Sequence, residues 1–144
     1  MTDSYFQMES EFADACDIPR GTISGRVDSN SVNLAIRLVD EEWNAETKAA
    51  LAKHLSNPSL ENLVEVADGI GDTIYVLCQL ARSLGIPLDS VFLCIHRANM
   101  LKVGEDGKVK RREDGKILNP DGWTSPEKAI WEVLKHHTDK EAGY

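Results

Sequence analysis

Residues 60–84 read LENLVEVADGIGDTIYVLCQLARSL, the most apolar run in a chain of 144 residues. Leu63, Val66, Ala67, Ile70, Ile74, Val76, Leu77, Leu80 and Ala81 recur at helical spacing and predict a helix central to the core. Asn57-Pro58 breaks the chain ahead of it, Ser59 and Asn62 supply a start signal, and Gly85 supplies a stop. Within the same run Glu65, Asp68 and Asp72 fall at i, i+3 and i+7, so their carboxylates share one face. Like charges one turn apart repel by roughly a few tenths of a kcal/mol per pair. Gly69 and Gly71 add a cost of about 1 kcal/mol each against alanine. These costs call for a compensating partner, and the glycines let a backbone or a ligand come close to the helix.

Upstream, Val32, Leu34, Ala35, Leu38 and Val39 begin an amphipathic pattern that Ala49, Ala50, Leu51, Ala52 and Leu55 continue. One long helix is therefore expected from about Ser31 to Leu55. It carries Asp40, Glu41, Glu42 and Glu46; Glu42 and Glu46 stand one turn apart, and Glu41 lies about 100° round from Glu42. Two acidic faces on helices joined by a short turn suit a divalent cation, because Mg²⁺ takes hard oxygen ligands. The plainer alternative is a pair of solvated acidic faces on an acidic protein.

Residues 2–16 hold a looser helical pattern, and Pro19, Gly21 and Gly25 mark a loop after it. Pro87 opens a fourth helix that runs to about Leu101. Residues 103–124 form a long glycine-bearing loop, with a short hairpin expected at Asp106-Gly107 or Asp114-Gly115. Ser125-Pro126-Glu127 opens a last helix carrying Ile130, Val133 and Leu134. The expected fold is all-α, a bundle of four to five helices in one domain over residues 1–144. Its core is expected within 30–101, with the loop and last helix in 102–138.

The net charge of −8 argues against a nucleic-acid backbone as partner. Lys108, Lys110, Arg111, Arg112 and Lys116 nevertheless cluster late in the chain, against acids crowded into 40–72. No apolar run approaches the ~18 residues of a membrane span, and the N-terminal residues lack the basic start and apolar stretch of a signal sequence. A cytoplasmic protein with no membrane partner is expected. The odd set Cys16, Cys78 and Cys94, without a CxxC pair, reads as reduced thiols.

Three segments resemble the all-α NTP pyrophosphohydrolase superfamily in its MazG-like branch, which includes bacterial and phage enzymes. Leu38-Val39-Asp40-Glu41-Glu42 is similar to its Glu-Glu-x-x-Glu helix, and the run Glu65 to Tyr75 to its Glu-x-x-Asp helix. His96 to Lys102, then Arg111 to Lys116 and Pro120 to Trp123, make the third. The resemblance implies a Mg²⁺-dependent (or Mn²⁺-dependent) enzyme that converts a nucleoside or deoxynucleoside triphosphate to monophosphate and pyrophosphate. It implies Glu41 or Glu42 as the group that accepts the proton of the attacking water. Metal ligands are then drawn from Glu42, Glu46, Glu65, Asp68 and Asp72, with Asp68 and Asp72 preferred among the acids of the later helix. Asn99, Lys102, Arg112 and Lys116 would hold the phosphates. A homodimer or homotetramer is implied as well, and a host cytoplasm if the chain is phage-encoded.

The sequence departs from the pattern where the family's last Glu of the first motif falls on Ala45, with a Glu at position 46 instead. Either Glu46 reaches the metal, or fewer ligands hold it, or the chain is an inactivated variant. The last case leaves a non-catalytic nucleotide-binding or sensing module as the alternative function. On the register assumed, a Glu placed at 45 is expected to raise turnover.

Overall fold

A computed structural model describes residues 2–143. The chain divides into two compact units, Met1–Leu88 and Asp89–Tyr144. Among the described residues the regular structure is all-helical, relieved only by an isolated antiparallel bridge between Arg111 and Ile117.

In the first unit, α1 spans Tyr5–Ala15. Ser4 caps it reciprocally with Gln7: the Ser4 hydroxyl accepts from the Gln7 N–H at 3.1 Å, and the Gln7 side chain accepts from the Ser4 N–H at 2.7 Å. The expected helix over 31–55 is a continuous rod over 29–56, with a finding the sequence did not disclose. It consists of α2 (Ser29–Asp40), a π-helical segment (Glu41–Thr47) and α3 (Lys48–Ser56). The apolar helix α4 spans Leu60–Ser83, with the Ser59 hydroxyl accepting from the Asn62 N–H at 3.0 Å. Asn62, itself buried, returns a side-chain hydrogen bond to the Asn57 carbonyl at 2.8 Å and so fixes the short turn between α3 and α4. Gly85 ends α4 at φ +72°.

α4 is the hub of this unit, packing against α1, α2, the π-segment and α3. Its contacts are made by small residues: Ala13, Ala35 and Ala81 are buried, with Val66, Val76 and Cys78. Arg82 is 3% exposed and ties the end of α1 to α4, donating to the carbonyls of Ile18 (2.7 Å) and Pro19 (3.3 Å) and to the Asp14 carboxylate. No single helix among the described residues is long and apolar enough to cross a membrane.

α5 spans Leu88–Met100, all but its first residue in the second unit, and α6 spans Glu127–Glu141, opening behind Pro126 as its composition predicts. With the rod over 29–56 taken as one, five helices are described, within the expected number. Both Asp-Gly sites of the long loop are turns. Gly107 and Gly115 adopt φ +75° and +89°, conformations that favour glycine. The second turn is closed by Arg112 N–H donating to the Lys116 carbonyl at 2.7 Å.

Candidate functional site

The first unit brings four of the predicted acids together. Glu42 is half-buried, and its Oε2 is enclosed with no hydrogen-bond partner. Burial first, and then the charges of Glu46, Asp72 and Asp68, push the Glu42 carboxyl above the usual carboxylate range, with Glu46 near enough to share its proton. Asp68 and Asp72 come from α4, Glu42 and Glu46 from the π-segment, so acids of two elements act on the Glu42 carboxyl.

The π-segment explains how Glu46 arrives there. In an α-helix four residues advance about 400°, which leaves position 46 about 40° past position 42. Here the closing hydrogen bonds span five residues: the Lys48 N–H donates to the Trp43 carbonyl, and the Thr47 hydroxyl donates to the Glu42 carbonyl at 2.5 Å. Five residues per hydrogen-bonded turn means less rotation per residue, and Glu46 falls back over Glu42. The resemblance leads to an expected spacing of three residues between these acids; here it is four, and the wider turn offsets the extra residue.

Gly69 makes that seat possible. A Cβ built on it would meet Thr47 Oγ1 at 2.5 Å, so the rod approaches α4 where only glycine fits. Gly71, by contrast, faces open space. It lines, with Tyr5, Met8, Ile70, Ile74 and Tyr75, an apolar groove of about 310 Å³ between α1 and α4.

Three other acids named from the sequence stand apart from this group. Glu65 is engaged by Lys53 of α3, whose Nζ lies 3.1 Å from each carboxylate oxygen. Glu41 is exposed and is not among the charges that act on Glu42. Asp40 is held by the Asn44 amide at 2.6 Å.

The residues expected to hold phosphate are in the second unit. Asn99 is exposed near the end of α5. Lys102 Nζ sits 4.9 Å from the centre of the Trp123 ring, whose own Nε1–H donates to the Ala98 carbonyl at 2.7 Å. That cation–π pair holds the lysine head at a defined place. The Arg112 fork is already taken by Asp114, at 3.0 and 2.6 Å, and Asp114 also accepts from the Lys116 N–H at 3.2 Å. The Arg112 guanidinium holds the Asp114 carboxyl below its usual range. Lys116 is exposed.

Among the described residues, no three His, Cys, Asp or Glu side chains close a cage around a point where an ion could sit. The donor set is nonetheless one for a hard cation. Mg²⁺ keeps several waters and is taken by one or two carboxylates together with phosphate oxygens, and does not require an all-protein cage. An enclosed carboxylate oxygen lacking any donor, faced by further acids, is a position that a cation satisfies. The sequence pointed to Glu42, Glu46, Asp68 and Asp72 and to a close approach at Gly69 or Gly71, but it gave no sign of the part played by Thr47.

A sequence model of the phosphoribosyl-ATP pyrophosphohydrolase family matches residues 11–99. The match takes in the rod, α4 and nearly all of α5, and stops short of Lys102, Arg112 and Lys116. A comparison with curated proteins finds no match.

Proposed function

The chain belongs to the phosphoribosyl-ATP pyrophosphohydrolase family, a class of pyrophosphohydrolases within the MazG-like all-α superfamily, and from that premise we propose that its substrate is a nucleoside or deoxynucleoside triphosphate. Water attacks the α-phosphorus, the bond to the β-phosphate's bridging oxygen breaks, and monophosphate and pyrophosphate leave. The observation that carries this proposal is the orphaned Glu42 oxygen set among Glu46, Asp68 and Asp72.

Glu42, Glu46, Asp68 and Asp72 are the residues that would hold Mg²⁺ or Mn²⁺. The ion, when bound, supplies positive charge against the triphosphate. Glu42 is proposed to take the proton of the attacking water. Glu46, Asp68 and Asp72 would share the ion with Glu42 and supply the negative charge that draws it there. Lys102, its head fixed over Trp123, is proposed to bind a phosphate as a point charge. Arg112 would have to exchange Asp114 for phosphate to do the same. With Glu46 beside Glu42, the substitution of Ala45 no longer argues for a non-catalytic module. We propose, finally, that the working form is a homodimer or homotetramer.

The test is a product assay on a panel of ribo- and deoxynucleoside triphosphates and phosphoribosyl-ATP, with Mg²⁺, Mn²⁺ or EDTA. Monophosphate and pyrophosphate in equal amounts, dependent on the divalent ion, are expected from a triphosphate. Tight binding of the whole panel without products would turn the assignment to a sensor, and turnover of phosphoribosyl-ATP alone would overturn the substrate class.

A further inference from the structure

Thr47 is 1% exposed and sits where the rod meets α4. Its hydroxyl has one proton, and that proton goes to the Glu42 carbonyl five residues back. Thr73, 3.4 Å away, has committed its own proton to the Gly69 carbonyl at 2.7 Å, so neither hydroxyl has a proton left for the other. The Thr47 hydroxyl is thus dedicated to the π-segment, while its Cα and Cβ rest against the bare face of Gly69. A π-turn is rare because the α-helical hydrogen bond is ordinarily preferred, and something local must keep it.

We propose that Thr47 is a positioning residue: clamped between Gly69 and the Glu42 carbonyl, it maintains the π-turn that sets Glu46 beside Glu42, facing Asp68 and Asp72. The role rests on the metal site assigned above and adds the means by which this chain, one residue longer between its acids, keeps that site. Ordinary packing would need only the shape of a β-branched side chain. The clamp needs the hydroxyl, and only as long as the extra residue is present.

Mn²⁺ affinity of the chain, measured by calorimetry without nucleotide, separates these cases independently of turnover. Thr47→Val keeps the shape and should weaken Mn²⁺ binding by at least about tenfold, whereas Thr47→Ser keeps the hydroxyl and should stay within about twofold of the parent. Deleting Ala45 restores the three-residue spacing on an unbroken α-helix, so Thr47→Val combined with that deletion should recover parental affinity. Backbone carbon shifts over residues 41–47, read by NMR, should change from π- to α-type in Thr47→Val. If Thr47→Val does not fold, Gly69→Ala closes the same seat from α4 and should show the same loss. A parent that binds Mn²⁺ with a Thr47→Val (or Gly69→Ala) that binds it equally well overturns the clamp alone. The same holds if the deletion brings no recovery. A parent that binds Mn²⁺ neither alone nor with inorganic pyrophosphate present overturns the metal site and the clamp with it; where binding shows only with pyrophosphate, the variants are compared under that condition.

Discussion

Two carboxyls of the first unit are pushed up by burial, and they differ in what surrounds them. Glu42 faces further acids, whereas Glu9 of α1 is 1% exposed beside Arg82 and Arg20, whose charges offset its burial only in part. Its Oε2 and the Arg82 Nε are both enclosed without partners. A carboxyl whose pKa is higher in the folded than in the unfolded chain binds more protons when folded. Its stabilising contribution is then full below the unfolded value near 4.5, and is lost as pH rises through the folded value. Glu9→Gln should therefore flatten the fall of the apo melting temperature on going from about pH 4.5 toward neutrality. A variant that follows the parent's slope throughout that window would show that Glu9 is charged in the fold. At position 46, the geometry reverses the expectation drawn from spacing alone. Glu46→Ala should lower turnover by about a hundredfold through lost positioning of the reacting groups. Ala45→Glu should bring no gain, because the wide turn has already moved position 46 into the place that a Glu at 45 was to fill. Steady-state rates on the preferred triphosphate decide between them, and a gain for Ala45→Glu with an active Glu46→Ala would restore the α-helical register.

At the scale of the element, the glycines of α4 separate into one that is required and one that is incidental. Gly69→Ala drives a methyl into Thr47 and should cost about 1–3 kcal/mol, the usual range for overpacking. Gly71→Ala meets nothing and should stabilise by up to about 1 kcal/mol through helix propensity. Urea unfolding of the two variants gives the comparison directly, and equal effects would remove Gly69 as a contact point. The contrast also shows where the sequence was readable. The start and end of α4 were legible because Ser59 and Gly85 act locally, within a turn of the residues they terminate. The acidic face was legible because its i, i+3, i+7 spacing lies within one helix. The π-segment was not, since a slip of one residue in EEWNAET leaves the apolar pattern on either side nearly unchanged. Its trace in the sequence was indirect: a glycine in an apolar helix, awaiting a close neighbour, and a threonine mid-helix whose hydroxyl needed a buried acceptor. Nothing in the sequence pairs the two, because they meet only once the rod is laid along α4. Glu65 shows the same limit from the other side, since the lysine that engages it lies twelve residues earlier on α3.

For the molecule as a whole, the buried set is small and the exposed apolar set is large. On α4, Leu60, Leu63, Val64, Ile70 and Ile74 are all exposed, from 37% for Ile74 to 74% for Leu60. Their spacing places them in one stripe along the helix, bordering the apolar groove over its later turns. Leu34 and Ile36 of α2 are exposed as well. Scattered surface leucines need no explanation, but a continuous stripe on the central helix of a unit is the kind of patch that marks an interface. A second copy of the same stripe is apolar and matched in length, and a two-fold contact is the commonest closed arrangement for such a face. A stable interface buries roughly 1,200–2,000 Å² in total, an area that two helices with their flanking side chains can supply. The chain is therefore expected to sediment as a dimer or tetramer at micromolar concentration, with a melting temperature that rises with protein concentration. Val64 is 60% exposed, so Val64→Glu costs the isolated fold little while placing a carboxylate in the seam. That variant should sediment at a lower mass and lose the concentration dependence of its melt, with its helix content by circular dichroism unchanged. A parent that remains monomeric at about 100 μM, well above the range of a specific micromolar contact, would mean that the stripe is not a self-association surface.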